Sequence, residues 1–284
     1  MDDTDDIISA LLSSSSDHLV LPAGAQSMPD EYDAPSIYTI DNTNQVLKAG
    51  SRIKLSEAEA MRYVSRTTKV PVPRVHESYV LEGNGYIFMD HIPGRPLARL
   101  WKHLSPVHRS SLVSQLRDIV QELGSLRGDF FGALWEKPCM DVFFNHFPFK
   151  NVKISYGPFK NRREYNQGLI DALLNARPEG AFDEVEQDVA EQLLRLTDDT
   201  KVFSHGDLHL GNILVDEETN SITGIIDWEG AGFSIRGREY FEAKCRARDP
   251  EWSAALDEIF DENERKHYEL FKHLNQVLTR YTGV

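Results

Sequence analysis

At 284 residues, with 40% hydrophobic and 27% charged side chains, the chain can bury a core as one large or two small domains. A formal charge of -14 argues against general binding to nucleic-acid phosphate, no apolar run approaches a membrane span, and the acidic start lacks the basic and apolar parts of a secretory signal. Cys139 and Cys245 are too few and too far apart for a disulfide framework or zinc site, which fits a reducing compartment and a cytoplasmic location without nucleic-acid or membrane partners.

Residues 1–35 begin with Asp2, Asp3, Asp5 and Asp6 and a serine run from Ser13 to Ser16, a composition expected to be flexible at least in part. Gly24 to Pro35 shows no clear first strand, and no glycine-rich loop precedes the next one. Ser36 to Ile40, a polar turn at Asp41 to Asn44 and Gln45 to Lys48 predict a hairpin with Lys48 near its end. Leu55 to Val64 predicts a helix capped by Ser56, with Glu57, Ala60, Met61 and Val64 on one stripe and Glu59 facing elsewhere. That register makes Glu57 the better partner for Lys48, with Lys54 the competing cation. The plain alternatives are an exposed strand-end lysine and a helix-start acid favoured by the dipole. Pro71 and Pro73 end the helix and lead an extended chain into Gly85 to Gly94, a buried strand running into a linker, where Met89 packs into a core.

From residue 93 the pattern turns helical. Ser105 and Pro106 signal a helix start, followed by Leu112, Val113, Leu116, Ile119, Val120 and Leu123 at helical spacing. Phe130 to Phe149 is aromatic and irregular, either a wall of an acceptor site or a packed loop. Further helices are predicted over Tyr165 to Leu174, with Val185, Val189, Leu193 and Leu194 facing inward on the next, and near the end with Tyr268, Phe271, Leu274 and Leu278. No internal repeat is evident.

Phe203 to Gly232 carries the chemistry. Asp207 lies in a loop holding Gly206 and Gly211, Ile213 to Val215 is a strand, Asp216 to Ser221 a polar turn, and Ile222 to Ile226 the returning strand that ends at Asp227. Asn212 follows Asp207 by five residues and Asp227 follows Asn212 by fifteen, so the hairpin can bring two oxygen ligands beside a separate aspartate. Phosphoryl transfer needs this division: Asn212 and Asp227 as ligands for Mg2+, and Asp207 to orient an acceptor hydroxyl and take its proton. The bland alternative is an ordinary hairpin with turn-forming Asp and Asn. The acids Asp249, Glu251, Asp257, Glu258, Asp261, Glu262 and Glu264 read first as a solvated helix face, and second as part of a site for an amine-bearing acceptor.

The stretch His205, Gly206, Asp207, Gly211, Asn212, followed by Ile226, Asp227 and Trp228, resembles the aminoglycoside phosphotransferase-like, or choline kinase-like, branch of the protein-kinase fold. It is most similar to fungal phosphotransferase-like proteins without an assigned substrate. The resemblance runs from about Ser36 to Cys245. It implies an α+β, bilobal protein-kinase-like fold: a β-rich N-lobe over 36–92, a helical C-lobe over 93–284, and a nucleotide between them. It further implies that Lys48 and Glu57 order the phosphates of ATP, that Met89 lines the adenine pocket, and that Asp90 to Ile92 present backbone groups to the base. His205 would brace the loop and His209 would be loop filling. With no long loop and no Ala-Pro-Glu sequence after Asp227, the expected substrate is a small-molecule hydroxyl compound, not a protein. The alternative activity, prompted by the missing glycine loop, is a catalytically weak nucleotide-binding or ligand-sensing member of the fold.

Overall fold

The computed structural model describes residues 19–28, 37–145, 154–178 and 180–281. Most of the acidic segment 1–35, Ser36 and the end of the aromatic stretch up to Phe149 lie outside them. The chain divides into two compact units, residues 1–58 with 74–91 and residues 59–73 with 92–284.

In the first unit five strands form one antiparallel sheet: β1 (Ala25–Ser27), β2 (Ile37–Ile40), β3 (Gln45–Gly50), β4 (Val75–Leu81) and β5 (Asn84–Asp90), in the order β1-β2-β3-β5-β4. The strand β1 corrects the expectation that none precedes Ser36. Its three residues have neither alternation nor β-branched side chains, so no local signal marks it. It is held instead by pairing, with Ala25 opposite Ile40 and Ser27 opposite Tyr38, and by Gln26 donating to Asp41 at 3.0 Å. The connection from β1 to β2, residues 28–36, contains no glycine.

Alternation along β3 decides which side chains are buried. Leu47 and Ala49 point into a core with Tyr86, against which Tyr79 stacks at 5.1 Å, while Lys48 falls on the opposite face with Val46. A helix, α1 (Leu55–Thr67), follows, starting one residue before the expected cap at Ser56; the boundary between the units falls inside it, after Ala58.

The second unit contains β6 (Arg95–Pro96), α2 (Leu97–Leu100), α3 (Pro106–Ser125), α4 (Arg162–Asn175), α5 (Glu184–Leu194), β7 (Lys201–Ser204), β8 (Ile213–Asp216), β9 (Ser221–Ile225), β10 (Gly232–Ile235), α6 (Arg238–Arg246), α7 (Pro250–Ile259), α8 (Glu262–Arg265) and α9 (Tyr268–Thr279). Helix α3 starts as its sequence predicts: Ser105 accepts from the His108 N–H at 3.3 Å, Pro106 occupies the first turn, and all six spaced apolar residues are buried. On α5 the prediction is half right. Val189 and Leu193 are buried beside Glu186 and Ala190, but Val185 and Leu194 are exposed because they lie off that stripe. The main core joins Phe131, Phe143 and Phe144 of the irregular segment with Tyr165 and Leu169 of α4 and Phe271 and Leu274 of α9. Those aromatics are packing residues.

Two small sheets carry the conspicuous motif. Strands β6, β8 and β9 form one, and β7 pairs with β10 in the other, with Ser204 opposite Gly232. Gly132 bridges to Phe233, so residues 131–133 run alongside β10 in the same direction as β7. Among the described residues no helix is long and apolar enough to cross a membrane.

Candidate active site

In the first unit the Lys48 ammonium lies 2.9 and 3.0 Å from the two carboxylate oxygens of Glu57, whose side chain is 2% exposed. Glu59 instead meets Arg62 of its own helix at 2.7 Å. The helical register explains the choice, since Glu57 shares the buried stripe with Ala60, Met61 and Val64. Lys54 is exposed. A largely buried ammonium held bidentately keeps its charge fixed in place, as phosphate binding requires.

Farther along this unit Met89 is buried in β5 opposite Val46, a packing position. The Asp90 carboxylate meets His76 at 2.6 Å. The Asp90 N–H donates to the Arg74 carbonyl and the His91 N–H to the Asn44 carbonyl, each at 3.0 Å. Those two donors are therefore engaged by the chain itself. Ile92 belongs to the second unit and packs beside β9, where a Cβ on Gly224 would stand 2.8 Å from its methyl group.

In the second unit β7 delivers Asp207 through a tightly built loop. Gly206 has φ +82°, and a Cβ there would collide with the Arg238 guanidinium and stand 2.5 Å from the Gly230 carbonyl oxygen. Only glycine meets both demands. His205 is fully buried; its Nδ1 accepts the Asp207 N–H at 3.1 Å, so its proton resides on Nε2, which donates to the Ile226 carbonyl at 3.0 Å. Trp228 closes over the ring edge at 4.5 Å between centroids. Burial, the largest influence, pushes the imidazole below its usual range against the opposing pull of Glu239 and Asp207, so it stays neutral.

Asn212 ends the short helical turn before β8. Its Nδ2 donates to the Asp207 carbonyl at 2.9 Å and to the Asp207 carboxylate at 3.1 Å. Both neighbours are acceptors only, which fixes the amide with its oxygen turned away from Asp207. The Asn212 carbonyl accepts the Ile226 N–H at 3.0 Å, so the residue before Asp227 is pinned to the base loop. Asp227 adopts a left-handed conformation, φ 66° and ψ 64°. Such a backbone on a non-glycine residue is held by its surroundings, here the Ile226 contacts on one side and the turn from Trp228 to Gly230 on the other.

Three more side chains meet the Asp207 carboxylate or its loop. Arg246 at the end of α6 places Nε 3.1 Å from Oδ1, and His209 stands 3.6 Å from Oδ2. Burial raises the Asp207 carboxyl, but the nearby His209 ring and the Arg246 charge outweigh it and hold the group below its ordinary value, ionised at neutral pH. Glu239 accepts the N–H groups of His205 and, at 3.1 Å, Gly206. Beneath it Arg238, itself buried, bonds Asp141 at 3.1 Å, Glu242 at 3.2 Å and the Gly230 carbonyl at 2.7 Å.

Sequence reading gave no role to Arg246, Arg238 or Glu239; the one local hint was the cluster of charges in a short segment that also holds Tyr240 and Phe241. It also passed over Trp135, 69% exposed, which with Glu136 forms a turn of two left-handed residues, φ 63° and 54°. Because residues 131–133 run parallel to β7, this turn leaves the sheet at the end from which His205 to Asp207 emerge.

The acids between Asp249 and Glu264 are mostly engaged elsewhere. Asp249 and Asp261 cap α7 and α8, Glu251 pairs with Arg109 at 2.7 Å, Asp257 with Lys244 at 2.6 Å, and Glu264 lies 3.9 Å from Arg236. Helix capping and local ion pairing account for that run.

No group of three or more His, Cys, Asp or Glu side chains among the described residues could hold a metal ion. Magnesium fits what is present: it takes oxygen donors and needs only one or two from protein, and the outward Asn212 amide oxygen and the Asp227 carboxylate are both of that kind.

Residues 51–271 match the model of the phosphotransferase enzyme family, and no protein of curated function matches the chain. Among solved structures, the aminoglycoside-3'-phosphotransferase of type VIII superposes with a TM-score of 0.55 at 17% identity, covering 95% of this chain and 98% of that one. The aminoglycoside phosphotransferase APH(3'')-Id of Streptomyces rimosus, in complex with ADP and streptomycin, gives 0.53 at 18% identity, covering 98% and 99%. The antiparallel sheet and helical remainder are thus those of the kinase-like aminoglycoside phosphotransferases.

Proposed function

The chain belongs to the phosphotransferase enzyme family, and from that premise we propose that it transfers the γ-phosphoryl group of ATP to a hydroxyl of a small molecule, assisted by Mg2+. The observation carrying this reading is the Asn212 amide, whose donor side is bound twice to Asp207 and whose oxygen is thereby directed away from it. One residue separates a proton acceptor from a cation ligand.

In this reading Asp207 accepts a hydrogen bond from the acceptor hydroxyl and orients it. The acceptor oxygen bonds to the γ-phosphorus, the bond from that phosphorus to the β,γ-bridging oxygen breaks, ADP departs, and the hydroxyl proton passes to Asp207 late in the transfer. A carboxylate held below its usual range is a weak base, sufficient for a reaction whose difficulty lies in positioning and charge. His205, Glu239 and Gly206 fix the loop that carries Asp207. Asn212 and Asp227 would hold magnesium, which when bound neutralises phosphate charge. Lys48, steadied by Glu57, would bind nucleotide phosphates; Met89 with the segment Asp90 to Ile92 would meet the base. Because the Asp90 and His91 N–H groups are engaged, the base would rely on carbonyls and the Ile92 N–H.

The second reading, a weakly active nucleotide-binding or ligand-sensing protein, rests on the glycine-free connection 28–36. Melting with and without magnesium-ATP, joined to ADP release over pooled hydroxyl metabolites, separates the two. Saturation at 100 times the dissociation constant adds about 2.7 kcal/mol of stability. The kinase reading expects that shift in wild type and Asp207→Asn, and acceptor-dependent ADP release in wild type only. A shift without release favours the sensor, and full transfer by Asp207→Asn overturns the assignment.

A further inference from the structure

We infer that Arg246 is an anion handle beside the base, so that the acceptor is a hydroxy compound carrying a carboxylate or phosphate group near the hydroxyl that receives the phosphoryl group. This rests on the phosphotransferase reading and narrows its substrate class.

Two protein contacts hold the guanidinium in place. Nε meets Asp207 Oδ1 at 3.1 Å, and Nη1 donates to the Glu242 carbonyl at 3.4 Å. Its side chain is nevertheless 41% exposed, so a planar five-donor fork with two contacts made has further N–H groups to offer next to the atom that takes the acceptor's proton. Such an edge matches a carboxylate or phosphate bidentately. Anchoring also lowers the ordering cost when an anion arrives.

The net charge of -14 opposes an anionic acceptor, so one could approach Asp207 only with local compensation. Arg246 supplies it, with His209 on the other carboxylate oxygen. An amine-bearing acceptor would meet a guanidinium at the reacting centre, and the acidic run that would welcome it is largely taken up by helix caps and by Arg109, Lys244 and Arg236. A cation at this position discriminates chiefly by repulsion of the wrong class.

Hydroxyl compounds are pooled by charge, as hydroxy acids with phosphorylated alcohols, neutral polyols, and amino alcohols. ADP release is measured for wild type, Arg246→Ala and Arg246→Lys. Glycerate, glycerol and 3-amino-1,2-propanediol form a matched set within the pools. Release concentrated in the anionic pool is expected, with Arg246→Ala lowering kcat/KM for its best member at least about tenfold and for that member's amide much less. The preference for acid over amide then collapses, which a loss of packing alone would not cause; Arg246→Lys retains part of it. Release confined to the neutral or amine pools, or a rise in turnover on Arg246→Ala as from a latch lifted off the base, overturns the proposal. If magnesium-ATP gives no shift, it is the kinase reading that fails. No release from any pool while magnesium-ATP raises the melting temperature is the sensor outcome, and there too the kinase reading fails. Melting with the anionic pool alone then decides the handle: stabilisation lost in Arg246→Ala upholds it, and stabilisation absent or unchanged overturns it.

Discussion

The imidazole of His205 spans two chain segments, accepting the Asp207 N–H on Nδ1 and donating from Nε2 to the Ile226 carbonyl 3.0 Å away. One side chain therefore sets the spacing between the loop of the base and the residue preceding Asp227. Replacement by Ala should lower kcat about a hundredfold, the scale on which small misplacements act, with Asn recovering part of it. Steady-state kinetics on the three proteins test this.

Acid should find the same residue. Folding holds His205 below its ordinary value, so the unfolded chain binds the extra proton, and the stability contributed by the neutral ring is lost as pH falls below about 6.5. Glu264 has the opposite sign: burial raises it to about 7, so its contribution is present below the usual carboxylate value and is lost as pH rises through about 7. Glu264→Gln should therefore gain on wild type by about 2 to 4 kcal/mol between pH 5 and 8. Urea unfolding at both pH values measures the difference.

Gly206→Ala should destabilise by about 2 kcal/mol or more, since it adds a positive-φ penalty to a collision with Arg238 and the Gly230 carbonyl. Chemical denaturation gives the value, and turnover should fall with it.

Asp227→Gly separates backbone from ligand. Both variants lose the carboxylate, but glycine accepts φ 66° freely and alanine does not, so without nucleotide Asp227→Gly should be more stable than Asp227→Ala by about 1 kcal/mol. Both should lose the thermal shift from magnesium-ATP. A preserved shift would remove Asp227 from the proposed metal ligands.

Glu239→Gln keeps the shape of the side chain but loses the charge that holds the His205 and Gly206 N–H groups. Faster hydrogen exchange at those two amides, with reduced kcat, is the expected outcome.

Local patterns disclosed much of this arrangement. The stripe through Glu57, Ala60, Met61 and Val64 distinguishes Glu57 from Glu59, and the spacing along Phe203 to Gly232 puts Asn212 and Asp227 at the same open end of one hairpin. Strand β1 was hidden because three residues held by register have no periodicity to read. Arg246 and Glu239 were hidden for another reason: each reaches Asp207 or its loop across more than thirty residues of chain, by 39 and 34 for Asp207 and His205 respectively. Contacts of that range depend on how β7 and α6 are packed, and a single sequence does not encode them in any local pattern.

The left-handed turn at Trp135 provides a built-in optical probe. Trp101, Trp228 and Trp252 are at most 2% exposed, so an aqueous collisional quencher would reach Trp135 selectively among the four tryptophans. Quenching by acrylamide thus reports on a single turn at the sheet end where the base loop emerges. An acceptor covering that turn would register in emission before any acceptor is known by name, with no label attached to the chain.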